Sequence, residues 1–405
     1  MAVHDLPSWL PQVTACSYLR SHEVRGFNRR RLRCSFAAFP AVAALVPLGR
    51  QRPARPRKTR RSCQNVRRIR LEEKDLVGFK EDFFEVFRNE EDFLWNALKD
   101  PLGTEKAMER SFKLVVKWLP EEAFSELHRF FVDARAAPAI WISGLALDDE
   151  IPATPALPGD FRLPVSEAWL LGLARCLGLP YGMLGFYSEN ARGGLIRDLS
   201  PKPGLGGINQ PHIDLGLHRD VPACVSGSNN EPDGFILLAA RGDPEHGALT
   251  RICSSRHLAT HLEAKLIHAL RRSPVRTECV RTSGISPYGK PFYAITGPED
   301  DPKITFFYIP DHQDFFYRIV SDDEETQAAY HEALKLATQL SDGVDLQAGD
   351  ALLINNSRCN HGRTAFNPQL DGSDRWLLKT FVSAGGWKRP GQESQLVWPS
   401  LLLKP

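Results

Sequence analysis

Three side chains in the C-terminal half of the chain have the types and order expected for an iron(II) centre. His212 and Asp214 are separated by one residue in the segment NQPHIDLGLHRD. Because alternate side chains of an extended strand point to the same face, this pair can present an imidazole and a carboxylate to one metal ion. An H-x-D pair alone is a weak signal, and the chemistry needs a second imidazole from elsewhere. We expect His361, in NNSRCNHGRTAF, to supply it.

This set of ligands would leave half of the metal's coordination sphere free. Two neutral imidazoles and one carboxylate hold Fe(II) on one face, and the other positions stay open. A 2-oxo acid can occupy two of the open positions as a chelate, and O₂ can take the third. Four protein ligands would close the site to this chemistry. The pattern therefore predicts a non-haem iron(II) enzyme that uses a 2-oxo acid and O₂.

A dicarboxylate co-substrate also needs a cation for its far end. Arg375 follows His361 by fourteen residues, at the start of RWLLKTFV. Its planar guanidinium can bind a carboxylate through two parallel hydrogen bonds. Taken one at a time, a histidine such as His361 is more commonly a loop residue, and an arginine such as Arg375 a surface salt-bridge partner. The combination, in this order, is far more specific than its parts.

The elements that would position these residues are mostly strands. Before residue 180 the apolar residues recur at helical spacing, and after it short apolar runs alternate with turn residues. Helices followed by many strands predict a mainly β protein with flanking helices, built as a β-sandwich or a jelly roll. Of these we expect the jelly roll, a double-stranded β-helix of the cupin-like type. The predicted core strands are GFILLAA (234–240), ITFFYI (304–309), DALLINN (350–356) and RWLLKTFV (375–382).

The distribution of charge divides the chain. Residues 1–70 contain sixteen Lys or Arg and only two acidic residues. The whole chain has 51 basic and 49 acidic residues, so the remainder has 35 basic and 47 acidic residues. The first 70 residues also lack a sustained apolar period. We therefore expect a basic leader at 1–70 and a single oxygenase domain at 71–405, with a helical part at 71–180 and the jelly-roll core at 181–390.

The leader permits more than one interpretation. It fits a cytoplasmic protein with a disordered tail or a start codon assigned too far upstream, and equally an Arg-rich transit peptide for a plastid or mitochondrion. Its apolar stretch, residues 36–49, is shorter than the roughly 20 residues of a spanning helix and contains two prolines. The basic run RPARPRKTRR has no aromatic residues to stack on bases. We expect neither a membrane nor a nucleic-acid partner, and the sequence leaves the oligomeric state open.

The surroundings of these residues resemble the clavaminate synthase-like branch of the TauD-type 2-oxoglutarate oxygenases, which includes asparagine and arginine oxygenases. The likeness covers about residues 185–387 and is strongest in GGLIRDLSPKPG, HIDLGLHRD, RGDPEHGALT and NNSRCNHGRTAFNPQLDGSDRWLLKTFV. Many relatives have Glu where this chain has Asp214, and both can bind iron. The resemblance implies Fe(II) held by His212, Asp214 and His361. It implies 2-oxoglutarate held by Arg375 with help from Thr250.

The resemblance also implies a small-molecule substrate. The expected reaction is hydroxylation, desaturation or cyclisation of an amino-acid-like compound, with release of succinate and CO₂. The alternatives are oxidation of another small acid, such as a sulfonate, and a catalytically inactive jelly-roll binding protein. The segment CVSGSNNEPDG (224–234) looks like an insertion beside the metal strand, which weakens any inherited substrate assignment. The candidate substrate contacts are His218, Arg219, Glu189 and Asp311.

Overall fold

The chain divides into two compact units, residues 1–59 and 60–405, and every residue described below belongs to the second. The computed structural model describes residues 65–87, 100–155, 162–183, 191–192, 195–201, 211–220, 231–281, 284–307, 315–384 and 396–397. Within these residues no helix is both long and apolar enough to cross a bilayer. The helices are α1 (Phe79–Val86), α2 (Pro101–Trp118), α3 (Glu121–Arg129), α4 (Pro164–Leu177), α5 (Ser255–Ala259), α6 (Ala264–Arg272) and α7 (Glu324–Leu340), with a short 3₁₀ turn at Glu73–Leu76.

The strands are short, and most lie after residue 178. The first group is β1 (Val66–Arg70), β2 (Ala139–Ser143), β3 (Leu179–Met183), β4 (Ala191–Arg192), β5 (Ile196–Leu199), β6 (Leu215–His218), β7 (Gly234–Arg241), β8 (Thr250–Ser254) and β9 (Val275–Arg281). The second group is β10 (Gly284–Phe292), β11 (Ile295–Thr296), β12 (Lys303–Ile304), β13 (Phe315–Val320), β14 (Asp342–Val344), β15 (Ala351–Asn355), β16 (Cys359–Arg363), β17 (Trp376–Ser383) and β18 (Leu396–Val397).

Two of the sheets carry the core. The larger has the order β1-β2-β15-β7-β17-β3-β18, and β5, which also pairs with β4, joins it along β17. All of its pairings are antiparallel except that between β1 and β2, which is parallel. The smaller sheet, β14-β8-β16-β6, is antiparallel. The expectation of a sheet-rich protein with flanking helices is confirmed.

The central strands of the larger sheet are apolar on both faces because both faces are covered. In β7, Ile236 and Leu238 belong to the core shared with α1 to α4, whereas Phe235 and Leu237 belong to the core shared with the smaller sheet. This is the period-two alternation of a strand, with two buried faces in place of one. The sequence pattern is therefore a continuous apolar run, and the two cores hold the sheet rigidly from either side.

Strand assignments differ from the expectation in two places. Strands β1 and β2 lie in stretches that composition assigns to the leader and to the helical part, yet both belong to the larger sheet. Residues 66–70, which composition assigns to the leader, form the arginine-rich strand β1, in which Val66 and Ile69 are buried. The predicted strand at 304–309 is shorter, with β12 ending at Ile304 and an isolated bridge at Phe307.

Packing of α4 beneath the larger sheet supports a first prediction. Trp169 of α4 is fully buried and stacks on Phe79 of α1 with ring centroids 4.4 Å apart. Trp169→Ala leaves a cavity that the surrounding helices cannot fill, so we expect the free energy of unfolding to fall by about 3–5 kcal/mol. Urea unfolding followed by circular dichroism measures the change. Val132→Ala, at a side chain that is 77% exposed, should change it by less than about 0.5 kcal/mol. Equal effects of the two substitutions would contradict the packing described here.

Candidate active site

Three side chains with metal-binding chemistry meet at one buried point. The ligand atoms of His218, Asp220 and His361 all lie within 4.8 Å of one another, the only such group among the described residues. The Nε2 atoms of His218 and His361 each lie 3.6 Å from Oδ1 of Asp220. Two imidazole nitrogens and one carboxylate oxygen are thus directed at a common volume.

Strand register brings these residues together. In the smaller sheet, His361 of β16 is the cross-strand partner of His218 of β6. Directly opposed residues share a face, with their Cβ atoms roughly 5 Å apart, and the two imidazole rings have centroids 4.4 Å apart. Asp220 follows His218 by two residues, so its side chain returns to the same face. An H-x-D pair and a distal histidine therefore meet as the sequence argument requires.

The protonation states suit a metal. His218 has Nδ1 2.9 Å from the carbonyl oxygen of Gly216; because a carbonyl only accepts, Nδ1 carries the proton and Nε2 keeps its lone pair for the cluster. Burial lowers the pKa of His361 to about 4, so this imidazole is neutral at neutral pH. Burial alone would raise the pKa of Asp220, but the Lys379 ammonium and the two histidines hold it well below its ordinary value. The site thus presents a neutral His361 imidazole, an Asp220 carboxylate and the Nε2 atom of His218.

The predicted pair His212 and Asp214 is not part of this cluster. His212 is exposed in the turn before β6, and Asp214 forms an ion pair with Arg251, the two groups 2.8 Å apart. The segment HIDLGLHRD contains two H-x-D pairs, and the second pair is the one that lies beside His361. The structure thus does not bring His212 and Asp214 together with His361, and their assignment as iron ligands stays a prediction. A count of both H-x-D pairs would have shown the alternative.

A lysine that the sequence argument did not place at the metal cluster lies against it. Lys379 of β17 is 8% exposed and forms an ion pair with Oδ2 of Asp220, the oxygen turned away from the two histidines. Its ammonium also lies 4.0 Å from the ring centroid of Phe235 and 4.8 Å from that of Phe381. A cation held between two aromatic faces and a carboxylate has a well-defined position.

A second buried cation lies near the cluster. Arg375 is 7% exposed, and its Nη2 donates a hydrogen bond of 3.1 Å to the hydroxyl of Thr250. Its Nε has no hydrogen-bond partner among the described residues. Burial, reinforced by nearby Arg363, lowers the pKa of Arg375 to about 9, which leaves the guanidinium charged at neutral pH. A buried guanidinium with unused donors is suited to an anion from outside the protein.

The spacing between cluster and arginine follows from the smaller sheet. On the paired strands β16 and β8, His361 lies opposite Ile252, and Arg363 lies opposite Thr250. Thr250 is thus two residues along the sheet from the level of His361, which corresponds to roughly 7 Å at the rise of a strand. A five-carbon dicarboxylate can bridge a distance of this order.

Of the four predicted substrate contacts, the structure describes His218 and Arg219. His218 belongs to the metal cluster itself. The side chain of Arg219 points away from it: Nε donates to the carbonyl of Asn356 at 2.8 Å, Nη1 donates to Thr305 at 2.7 Å, and Nη2 pairs with Glu231. Arg219 lies between His218 and Asp220 in the chain, so its side chain points to the opposite side. Glu189 and Asp311 lie outside the described residues.

A sheet-rich fold that buries two histidines and one carboxylate at one point defines a class, the non-haem iron(II) oxygenases. The chain belongs to the family described as taurine catabolism dioxygenase TauD, TfdA family, which matches residues 157–381. The expectation of a TauD-type oxygenase is confirmed.

Relatives and solved structures agree with this family. The chain is 29% identical over 283 residues to clavaminate synthase 2 of Streptomyces clavuligerus, covering 67% of this chain and 81% of that protein. It is 28% identical over 267 residues to the L-asparagine oxygenase of Streptomyces coelicolor, covering 64% and 74%. A crystal structure of asparagine oxygenase with Fe(II), 3-hydroxyasparagine and succinate superposes with a TM-score of 0.59 at 24% identity, over 78% of this chain and 93% of that chain.

Proposed function

We propose that this protein is an Fe(II)- and 2-oxoglutarate-dependent dioxygenase that hydroxylates a small amino-acid-like substrate and releases succinate and CO₂. The observation that carries the proposal is the convergence of His218, Asp220 and His361, with the buried Arg375 bound to Thr250 on the neighbouring strand β8. We further propose that the two facing sheets form a jelly-roll core at 181–390, because residues of both contribute to one apolar layer.

The residues at the cluster fit Fe(II). Burial lowers the pKa of His361 to about 4, and the charges around Asp220 hold the pKa of its carboxyl well below the ordinary value, so an uncharged imidazole and a carboxylate are available to a divalent cation at neutral pH. His218, Asp220 and His361 would hold the ion, which would supply the site at which O₂ is activated. Lys379 keeps Oδ2 of Asp220 engaged, which leaves Oδ1 directed between the two histidines.

The buried Arg375 guanidinium is suited to the far carboxylate of 2-oxoglutarate. The guanidinium and the Thr250 hydroxyl supply donors at a position about two strand residues from the cluster. Charge pairing there would offset the cost of burying the guanidinium. The 2-oxo acid end would then reach the metal cluster while the other end is anchored in the protein.

The substrate class rests on two supports. Clavaminate synthase 2 and L-asparagine oxygenase, to which the chain is similar, are named for reactions on amino-acid-type compounds. Lys379 adds a buried positive charge next to Asp220, which favours a substrate with an anionic group near the cluster. A substrate with an anionic group close to the oxidised carbon satisfies both.

The test is an assay under controlled oxygen. The purified full-length chain is incubated anaerobically with Fe(II), 2-oxoglutarate and single free amino acids or small sulfonates, and O₂ is then admitted. We expect succinate formation to rise with one or more amino acids, together with a product heavier by one oxygen atom. Succinate formation with sulfonates alone would show that the substrate is a small sulfonate and not an amino acid. Absence of any Fe(II)-dependent turnover of 2-oxoglutarate, with or without substrate, would overturn the proposed activity.

A further inference from the structure

The metal ligand Asp220 lies just outside the strand that carries its partner. Strand β6 ends at His218, which is held by its pairing with His361. The main chain of Asp220 is held in another way, by the side-chain amide of Asn356. The N–H of Asp220 donates to Oδ1 of Asn356 at 2.8 Å, and Nδ2 of Asn356 donates to the carbonyl of Asp220 at 2.9 Å. One side chain therefore takes the place of a neighbouring strand.

Asn356 also connects this point to the rest of the sheet. The side chain is completely buried, and Nδ2 makes a further hydrogen bond of 3.1 Å to the carbonyl of Pro232. Its main-chain N–H donates to the carbonyl of Asp233 at 3.0 Å, and its carbonyl accepts from Nε of Arg219 at 2.8 Å. The amide uses both of its donors and its acceptor on backbone groups, so its orientation is determined.

We propose that Asn356 is a positioning residue for the metal centre, which sets the direction of the Asp220 carboxylate through the Asp220 main chain. The inference rests on the proposed function, since it concerns the ligands of the proposed metal. The direction of a side chain follows from the backbone to which it is attached, and a site must hold its ligands to within about 0.5 Å. Two hydrogen bonds to one peptide segment restrict the carboxylate far more than a free loop end would.

The chain offers a matched control in the adjacent residue. Asn355 is also a buried asparagine, 1% exposed, but its Nδ2 donates to the carbonyl of Phe130, next to α3 and away from the cluster. Asn355→Ala removes a buried amide whose bonded carbonyl, that of Phe130, also accepts from Nη1 of Arg358 at 3.5 Å. Asn356→Ala removes a buried amide that bonds the N–H of Asp220 and the carbonyls of Asp220 and Pro232. A purely structural role predicts losses of thermal stability in both variants and unchanged metal affinity in both.

The experiment measures Co(II) binding to the metal-free full-length chain, by calorimetry and by the visible absorption of the bound ion. Loss of a residue that orients a ligand typically weakens metal affinity about 10–100-fold, and we expect this range for Asn356→Ala, with an altered absorption spectrum. For Asn355→Ala we expect an affinity within about threefold of the wild type, because its contacts do not reach a ligand. Wild-type affinity and spectrum in Asn356→Ala would overturn the inference.

Two further measurements distinguish an error in the proposed metal site from an error in the role of Asn356. If the wild type binds no Co(II), or if His361→Ala binds it as tightly as the wild type does, the proposed metal site itself is wrong. If Asn356→Ala does not fold, hydrogen exchange in the wild type decides: the Asp220 amide, outside strand β6, should be protected as strongly as that of Asn356, which donates to the carbonyl of Asp233. Exchange of the Asp220 amide at the rate of an open loop would overturn the inference.

Discussion

His218→Ala is expected to abolish tight metal binding, whereas His212→Ala should leave it nearly unchanged. His218 directs Nε2 to the common volume with Asp220 and His361, and His212 lies exposed in the preceding turn. Removing one of three ligands should weaken Co(II) or Fe(II) affinity by more than about 100-fold, beyond the range seen when a residue behind a ligand is lost. Succinate formation should fall in parallel.

The second H-x-D pair can be tested with its own matched variants. Asp220→Asn and Asp214→Asn each replace a carboxylate by an amide of the same shape, six residues apart. We expect the first to lose metal affinity and the second to lose only the exposed ion pair with Arg251, worth roughly 0–1 kcal/mol. Calorimetric titration of the metal-free chain with Co(II) measures both. A loss of affinity confined to His212 and Asp214 variants would restore the original assignment and refute the one made from the structure.

Arg375→Ala is expected to raise the 2-oxoglutarate concentration needed for half-maximal turnover by roughly 30- to 5,000-fold, because truncating one partner of a buried charge pair costs about 2–5 kcal/mol. The buried guanidinium has a free Nε and its described hydrogen bond goes to Thr250. Metal affinity should stay close to that of the wild type, since Arg375 contacts none of the three cluster residues. Steady-state assays over a range of 2-oxoglutarate concentrations, with Co(II) titration of the same variant, measure the two effects separately.

Smaller changes at the same pocket refine this prediction. Arg375→Lys keeps the charge and loses the planar pair of donors, so its effect should be intermediate. Thr250→Val removes one hydroxyl, worth about 0.5–1.5 kcal/mol. Arg251→Ala, next to Thr250 but paired with Asp214, is the control and should leave the 2-oxoglutarate dependence unchanged. If Arg375→Ala also leaves it unchanged, the pocket is assigned wrongly, and Lys379 is the next cation to test.

Much of the fold was predictable because its signals are local. The helical spacing before residue 180 and the apolar runs of β7, β15 and β17 are set by which faces of each element are buried. Strands β1 and β2 were not predicted, because the contacts that place them in the sheet are not local. Arginines of β1 find partners outside the strand, as Arg67 does with Glu122, and a charged sequence can then occupy a sheet edge.

The amino-acid sequence by itself determined the kind of site: an H-x-D pair, the distal His361, and an arginine on the following strand. Only the tertiary structure decided which H-x-D pair lies beside His361. Both pairs have the same parity along the chain, so alternation cannot distinguish them, and the choice depends on the register of β6 against β16. The contacts of Lys379 and Asn356 with Asp220 span 159 and 136 residues of sequence. Such contacts depend on how distant strands are stacked, which no local pattern of residues specifies.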